Sequence, residues 1–159
     1  MNTKHILTAT ILLATSFLVY SCSGDGDKKE TTEAPASMVE EAPEVSDKGI
    51  GKFQDVELTN PLDEGMIAEG KTVYEVKCAS CHKLSSEKLV GPGWEDVTER
   101  RTPEWIMNFI TNVDEMLEKD PESQAMLEIC MVRMPNQNLS DEEARNVLEF
   151  MRYNDQQQQ

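Results

Sequence analysis

Histidine is nearly absent from this 159-residue chain, with only His5 and His82, and Lys plus Arg number half of Asp plus Glu, 15 against 30. The first scarcity leaves one imidazole once His5 departs with a cleaved leader, so histidine-dependent catalytic triads and paired-imidazole sites are excluded. The second gives a net charge of −15, which repels phosphates and excludes nucleic acid as a partner. Aromatic residues make up only 6% of the chain, and no apolar run reaches the roughly 20 residues that span a bilayer. The longest, Ile6 to Tyr20 behind Lys4, has the form of a secretory leader. From residue 23 to about 60 apolar periodicity is missing altogether, and Asp, Glu, Lys, Ser, Thr, Gly and Pro dominate.

The leader ends at Leu18-Val19-Tyr20-Ser21-Cys22, a small residue directly before a cysteine. This ending resembles a bacterial lipobox, which implies cleavage after residue 21 and lipidation of Cys22. Tyr20 is bulky for its place, and an ordinary signal with a chance cysteine is the competing reading. The expected organisation is therefore a signal at 1–21, an acidic disordered tether at 22–60, a folded domain at 61–155 and a disordered tail at 156–159. As a coil of about 35 residues the tether reaches roughly 30–35 Å. The expected location is the periplasmic face of a bacterial membrane, held by lipid.

Four cysteines in an exported chain suggest two disulfides, but three have a better use. Cys22 is the candidate anchor, and Cys78 and Cys81 stand in Cys78-Ala79-Ser80-Cys81-His82. Two thiols on one turn can add to the two vinyl groups of a haem, and the adjacent imidazole then faces the iron. A thioredoxin-like dithiol would need a βαβ context and a helix that begins at the motif. A zinc site would need a fourth ligand, for which Cys130 or a carboxylate are the candidates. With His82 the sole mature histidine, one covalently attached haem c is expected. Cys130 reads as a buried small hydrophobe, with an intermolecular disulfide as the alternative.

The opposite face of the iron needs a ligand from far along the chain. Met134-Pro135 leaves an apolar segment and enters the polar Asn136-Gln137-Asn138, and the proline stiffens the loop holding a weak thioether. Met131 is the nearest rival but falls within the apolar pattern and is expected in the core. Met66, Met107, Met116, Met126 and Met151 read as helix packing.

Helix signals surround these positions. Thr102-Pro103-Glu104 and Asp120-Pro121-Glu122 are cap and first-turn patterns, and Ser140-Asp141-Glu142-Glu143 is a capping box before the stripe Ala144, Val147, Leu148 and Met151. With Gly70 and Tyr74 ahead of the haem motif, residues of about 64 to 153 resemble the small class I cytochrome c family, bacterial lipoprotein type. The resemblance implies an all-α fold of four to five short helices around one haem. It implies that Gly70 and Tyr74 pack on the final helix, with Phe150 or Tyr153 opposite Tyr74. It assigns the carbonyl of Pro92, in Gly91-Pro92-Gly93, to the Nδ1 proton of His82, and places Arg101 beside a haem propionate. Arg100 adjoins it, and Trp94 and Trp105 carry indole N–H groups suited to the same task.

A closed six-coordinate site implies single-electron transfer rather than enzymatic turnover, with redox proteins of a respiratory chain as partners and no small-molecule substrate. The stretch Val97 to Ile110, with Asp114 to Leu117, looks like lipoprotein-type cytochromes that feed respiratory enzymes. Nitrous-oxide reductase and terminal oxidases are the competing acceptors. Lys71, Lys77, Lys83, Lys88 and Arg133 flank the proposed ligands, which suggests a basic docking edge on an acidic head, unless they only solvate the surface. A haem peroxidase or gas sensor with a labile sixth ligand is the alternative function.

Overall fold

The computed structural model describes residues 46–159. The leader, Cys22 and the first part of the tether fall outside the described residues. Six α-helices appear: α1 Glu64–Val73, α2 Val97–Arg100, α3 Pro103–Thr111, α4 Val113–Lys119, α5 Pro121–Cys130 and α6 Asp141–Gln157. A π-helical turn, Tyr74–Cys78, extends α1. The described residues contain no strand, only one isolated bridge between His82 and Lys88. The all-α expectation therefore holds, with more and shorter helices than the four or five anticipated.

Local chemistry sets each boundary. Asp63 caps α1 by accepting from Met66 N at 2.9 Å, and Thr102 and Asp120 cap α3 and α5 with proline in the first turn. Ser140 and Glu143 exchange bonds at 3.1 and 2.9 Å, which completes the expected capping box. The first and last helices then cross face to face. A Cβ on Gly70 would stand 2.0 Å from the Asn146 carbonyl oxygen, so only glycine permits this approach. Tyr74 meets Phe150 at 5.5 Å between ring centroids, while Tyr153 is partly exposed. The stripe of α6 is buried as its spacing requires, with Ala144 and Leu148 fully enclosed.

Two expected boundaries move. Residues 46–60, expected within the tether, form a strap fastened to the helices. Asn108, fully buried on α3, donates to the carbonyls of Lys48 and Phe53 at 2.9 and 2.8 Å and accepts from Phe53 N at 2.9 Å. Ile50, Phe53 and Val56 pack against the core. The strap lacks sequence periodicity because side chains of other elements satisfy its backbone, in place of a regular ladder. Farther along the strap, Thr59 donates to buried Glu149 of α6, which also accepts from Asp63 N at 3.1 Å, Arg145 at 2.7 Å and Arg152 at 2.9 Å. The tail is likewise no loose end: α6 continues to Gln157, and the Gln158 side chain donates to the Leu84 carbonyl at 3.0 Å. Met131, expected in the core, is 83% exposed, because the last turn of α5 ends on it and directs its side chain outward.

Candidate haem site

The Cys-x-x-Cys-His run starts on the last residue of the π-helical turn, where Ala79 N donates to Tyr74 O at 2.9 Å. Cys81 N and His82 N then both donate to the Cys78 carbonyl at 3.0 Å, which coils the motif into a tight bend. Below it the Tyr74 hydroxyl donates to the His82 carbonyl at 2.8 Å, and Trp94 lies tilted against both rings, 4.9 Å from Tyr74 and 5.7 Å from His82 between centroids. The following loop folds back over the imidazole, with Gly91 N bonded to the Cys81 carbonyl at 2.9 Å. A Cβ on Gly91 would lie 2.3 Å from His82 Cε1, so a bare backbone is required there.

This loop places the Pro92 carbonyl 2.9 Å from His82 Nδ1. The bond fixes the ring and directs Nε2 away from Pro92. Burial lowers the His82 pKa below the ordinary histidine value, partly offset by the Pro92 bond, so the imidazole is held neutral and able to donate a lone pair.

Two adjoining cavities, of about 100 and 80 Å³, share His82, Pro92, Phe109, Met126 and Met134. Their walls are almost wholly apolar. Cys81, Cys130 and Val132 line the first, and Trp94, Arg100, Arg101 and Trp105 line the second. The structure thus brings His82 and Met134 to the same space from opposite sides of the sequence.

The donors suit a haem. Cys78 and Cys81 are free thiols, one imidazole nitrogen and one thioether face apolar space, and two arginines stand at one end. A zinc site is not supported, since no three His, Cys, Asp or Glu among the described residues converge enough to hold a metal ion. A reactive dithiol fits no better. Burial pushes the Cys78 thiol up to about 11, with Lys77 pulling down and Cys81 pushing up, and the motif sits at a helix end rather than a helix start.

Several expected contacts are rearranged. Both tryptophans line the second cavity, but the Trp105 indole N–H donates to the Asp120 carboxylate at 3.2 Å and is therefore engaged. Arg101 also lines it, paired with Glu122 at 2.8 Å and resting 4.9 Å over the Trp105 ring. Cys130, expected buried, is half-buried and faces the first cavity. The supposed basic edge is largely neutralised: Lys71, Lys77, Lys83 and Arg133 pair with Glu75, Glu143, Glu87 and Asp114. Phe109 and Met126 were legible only as packing positions, yet both line the two cavities.

A covalent c-type haem protein is the class that this helical cradle and its ligand set define. The cytochrome c family profile matches residues 67–155. A solved structure of cytochrome c from Rhodothermus marinus is 31% identical with a TM-score of 0.68, and the match covers 73% of this chain and 99% of that one. An engineered form of that cytochrome is 30% identical (TM-score 0.64, covering 67% and 91%). The same engineered form, bound to a carbene intermediate, gives 30% identity, a TM-score of 0.61 and the same coverage. No curated protein matches the chain. The chain belongs to the cytochrome c family. It is a class I electron-transfer protein with one covalently attached haem c.

Proposed function

We propose that this chain is a membrane-tethered carrier that passes single electrons between components of a respiratory chain. The observation that carries the reading is the shared exposure of His82 and Met134 to one pair of apolar cavities. In this reading Cys78 and Cys81 hold the haem through thioethers, and His82 and Met134 are the axial ligands. Pro92 orients the imidazole, while Arg101 and Trp94 offer donors to the propionates. The bound haem supplies a one-electron couple, and a methionine ligand raises its potential. The protein residues hold both ligands, exclude water and keep the imidazole neutral. With no open coordination position the chain is not an enzyme.

The lipobox-like Leu18 to Cys22 supports lipid anchoring at Cys22 and export to the periplasmic face of a membrane. The acceptor is a terminal reductase such as nitrous-oxide reductase, or an oxidase. A second reading, a peroxidase or gas sensor, draws support from the carbene-bound engineered relative and from the light fastening of the Met134 loop. Among the described residues, the hydrogen bonds from that loop to another element run from Arg133 to Asp114, at 2.9 Å to its carboxylate.

Absorption spectra with carbon monoxide test the two readings. The carrier reading expects a c-type α-band on reduction, a weak far-red methionine–iron band on oxidation, and slow, incomplete carbon monoxide binding at neutral pH. Rapid stoichiometric binding, with no far-red band, would overturn it in favour of the second.

A further inference from the structure

Helix α6 ends against its own dipole. A helix C-terminus carries partial negative charge and favours Lys or Arg in its last turn. The last turn of α6 has no basic residue and holds Asp155 instead. Arg152, one turn earlier, is already committed, because it donates to Glu149 at 2.9 Å and to the Thr59 carbonyl at 3.1 Å. Asp155 is only 2% exposed. Its Oδ2 accepts from Thr98 N at 2.9 Å and from Thr98 Oγ1 at 2.7 Å. Its Oδ1 is the one buried side-chain polar atom among the described residues that meets no protein partner. Buried polar atoms are nearly always bonded, and a carboxylate oxygen can only accept, so this one requires a donor from outside the chain.

Asp155 lines a cavity of about 220 Å³ between the strap, α2, α3 and α6, apart from the two haem cavities. That volume far exceeds the roughly 10–15 Å³ that admits one water. Leu58, Ile106 and Leu148 give it apolar walls, while exposed Glu99 and Gln156 bring further acceptors to its edge. A metal ion does not suit this set. No three His, Cys, Asp or Glu among the described residues converge on one, and calcium takes six to eight oxygens. An anion would face two carboxylates and the negative end of a helix. A primary ammonium on a short methylene stem suits every part: N–H donors for Oδ1, positive charge for the helix end, and hydrocarbon for the walls.

We infer that the cavity at the end of α6 is a binding site for an alkylammonium group, with the Asp155 carboxylate as its anchor and Glu99 as an outer counter-charge. The group is supplied by a lysine side chain of another protein or by a free amine, since both present the same chemistry. The site goes beyond the carrier reading and does not depend on it.

The test follows the Thr98 and Gln156 amides by NMR in the reduced, haem-loaded protein at fixed ionic strength. n-Butylammonium should move them saturably, whereas tetramethylammonium, with equal charge and no N–H, should not. Asp155→Asn keeps a carbonyl oxygen for Thr98 and turns the other group into a donor, so the fold should stand while affinity falls about tenfold or more. Glu99→Gln, at an exposed position, should weaken binding about twofold with no change in melting temperature. A blocked Gly-Lys-Gly peptide that binds as tightly as butylammonium would identify a protein lysine as the occupant, and a peptide tenfold weaker would identify a free amine. Equal shifts with tetramethylammonium, or unchanged affinity in Asp155→Asn, would overturn the site. Calcium chloride displacing butylammonium at lower concentration would make it a metal site instead. No shift with any cation, together with a higher melting temperature in Asp155→Asn, would reduce Oδ1 to a plain buried acceptor.

Discussion

Gly91 shows how one missing side chain governs the site. Its backbone lies against the His82 ring, and an added methyl would enter the space of Cε1. Gly91→Ala is therefore expected to push the imidazole off its bond to Pro92 and to cost about 1–3 kcal/mol, the usual range for overpacking. Thermal melts would show the loss, and altered haem absorption would show that the ligand had moved. Met134 is the complementary case. Met134→His should keep the haem but lower its potential and remove the far-red band, because a second imidazole favours the oxidised iron more than a thioether does. A potentiometric titration with spectra reads both effects, and an unchanged potential would count against Met134 as ligand. That His82 and Met134 would face one shared space was legible from residue type and spacing. Met131 was misread because its apolar neighbours in α5 suggested burial. The left-handed turn that ends the helix, which throws it outward, has no glycine to announce it.

Among the elements, α6 carries the largest buried charge. Glu149 has no exposed surface, and its carboxylate faces Thr59, Arg145, Arg152 and the Asp63 amide. Burial alone would raise its pKa, but the bonds from Thr59, Arg145, Asp63 N and Arg152 together outweigh it and hold the group below the usual carboxylate range. The stabilisation this confers is complete above the unfolded value of about 4.3 and is lost as the pH falls through the lower folded value. Glu149→Gln should cost about 2–3 kcal/mol at neutral pH and flatten the acid side of the stability curve, as chemical unfolding at a series of pH values would reveal. An acid limb as steep in the variant as in the parent would show that other carboxylates set it. The sequence displayed the apolar stripe of α6 clearly but gave no hint of Glu149. Glu149 lies off the Ala144, Val147, Leu148 and Met151 stripe, and two of its partners, Thr59 and the Asp63 amide, come from a segment with no pattern of its own.

At the scale of the molecule, the strap decides where the domain begins. Composition placed the boundary near residue 61, yet the described chain is already folded at residues 46–60, held by side chains of Asn108, Thr102, Asn112 and Glu104 bonded to its backbone. Such bonds leave no period in the strap, so no reading of that segment alone could have found them. Behind a substituted export leader, removal of residues 1–45 should leave haem content and melting temperature unchanged. Removal of residues 1–60 should strip the partners of buried Asn108 and lower the melting temperature by about 10 °C or more, as expected for a loss of several kcal/mol in a domain near 100 residues. Equal melting of the two truncations would return the strap to the tether.

The close crossing at Gly70 also bears on the order of folding. Helix α1 ends in the turn that bears Cys78, and its counterpart α6 lies about 70 residues farther along the chain. Contacts that join the two ends of a chain form late. Until α6 docks on Gly70, the π-helical turn lacks its cover from Phe150, and both thiols remain within reach of whatever brings the haem. The fold thus closes its attachment site late.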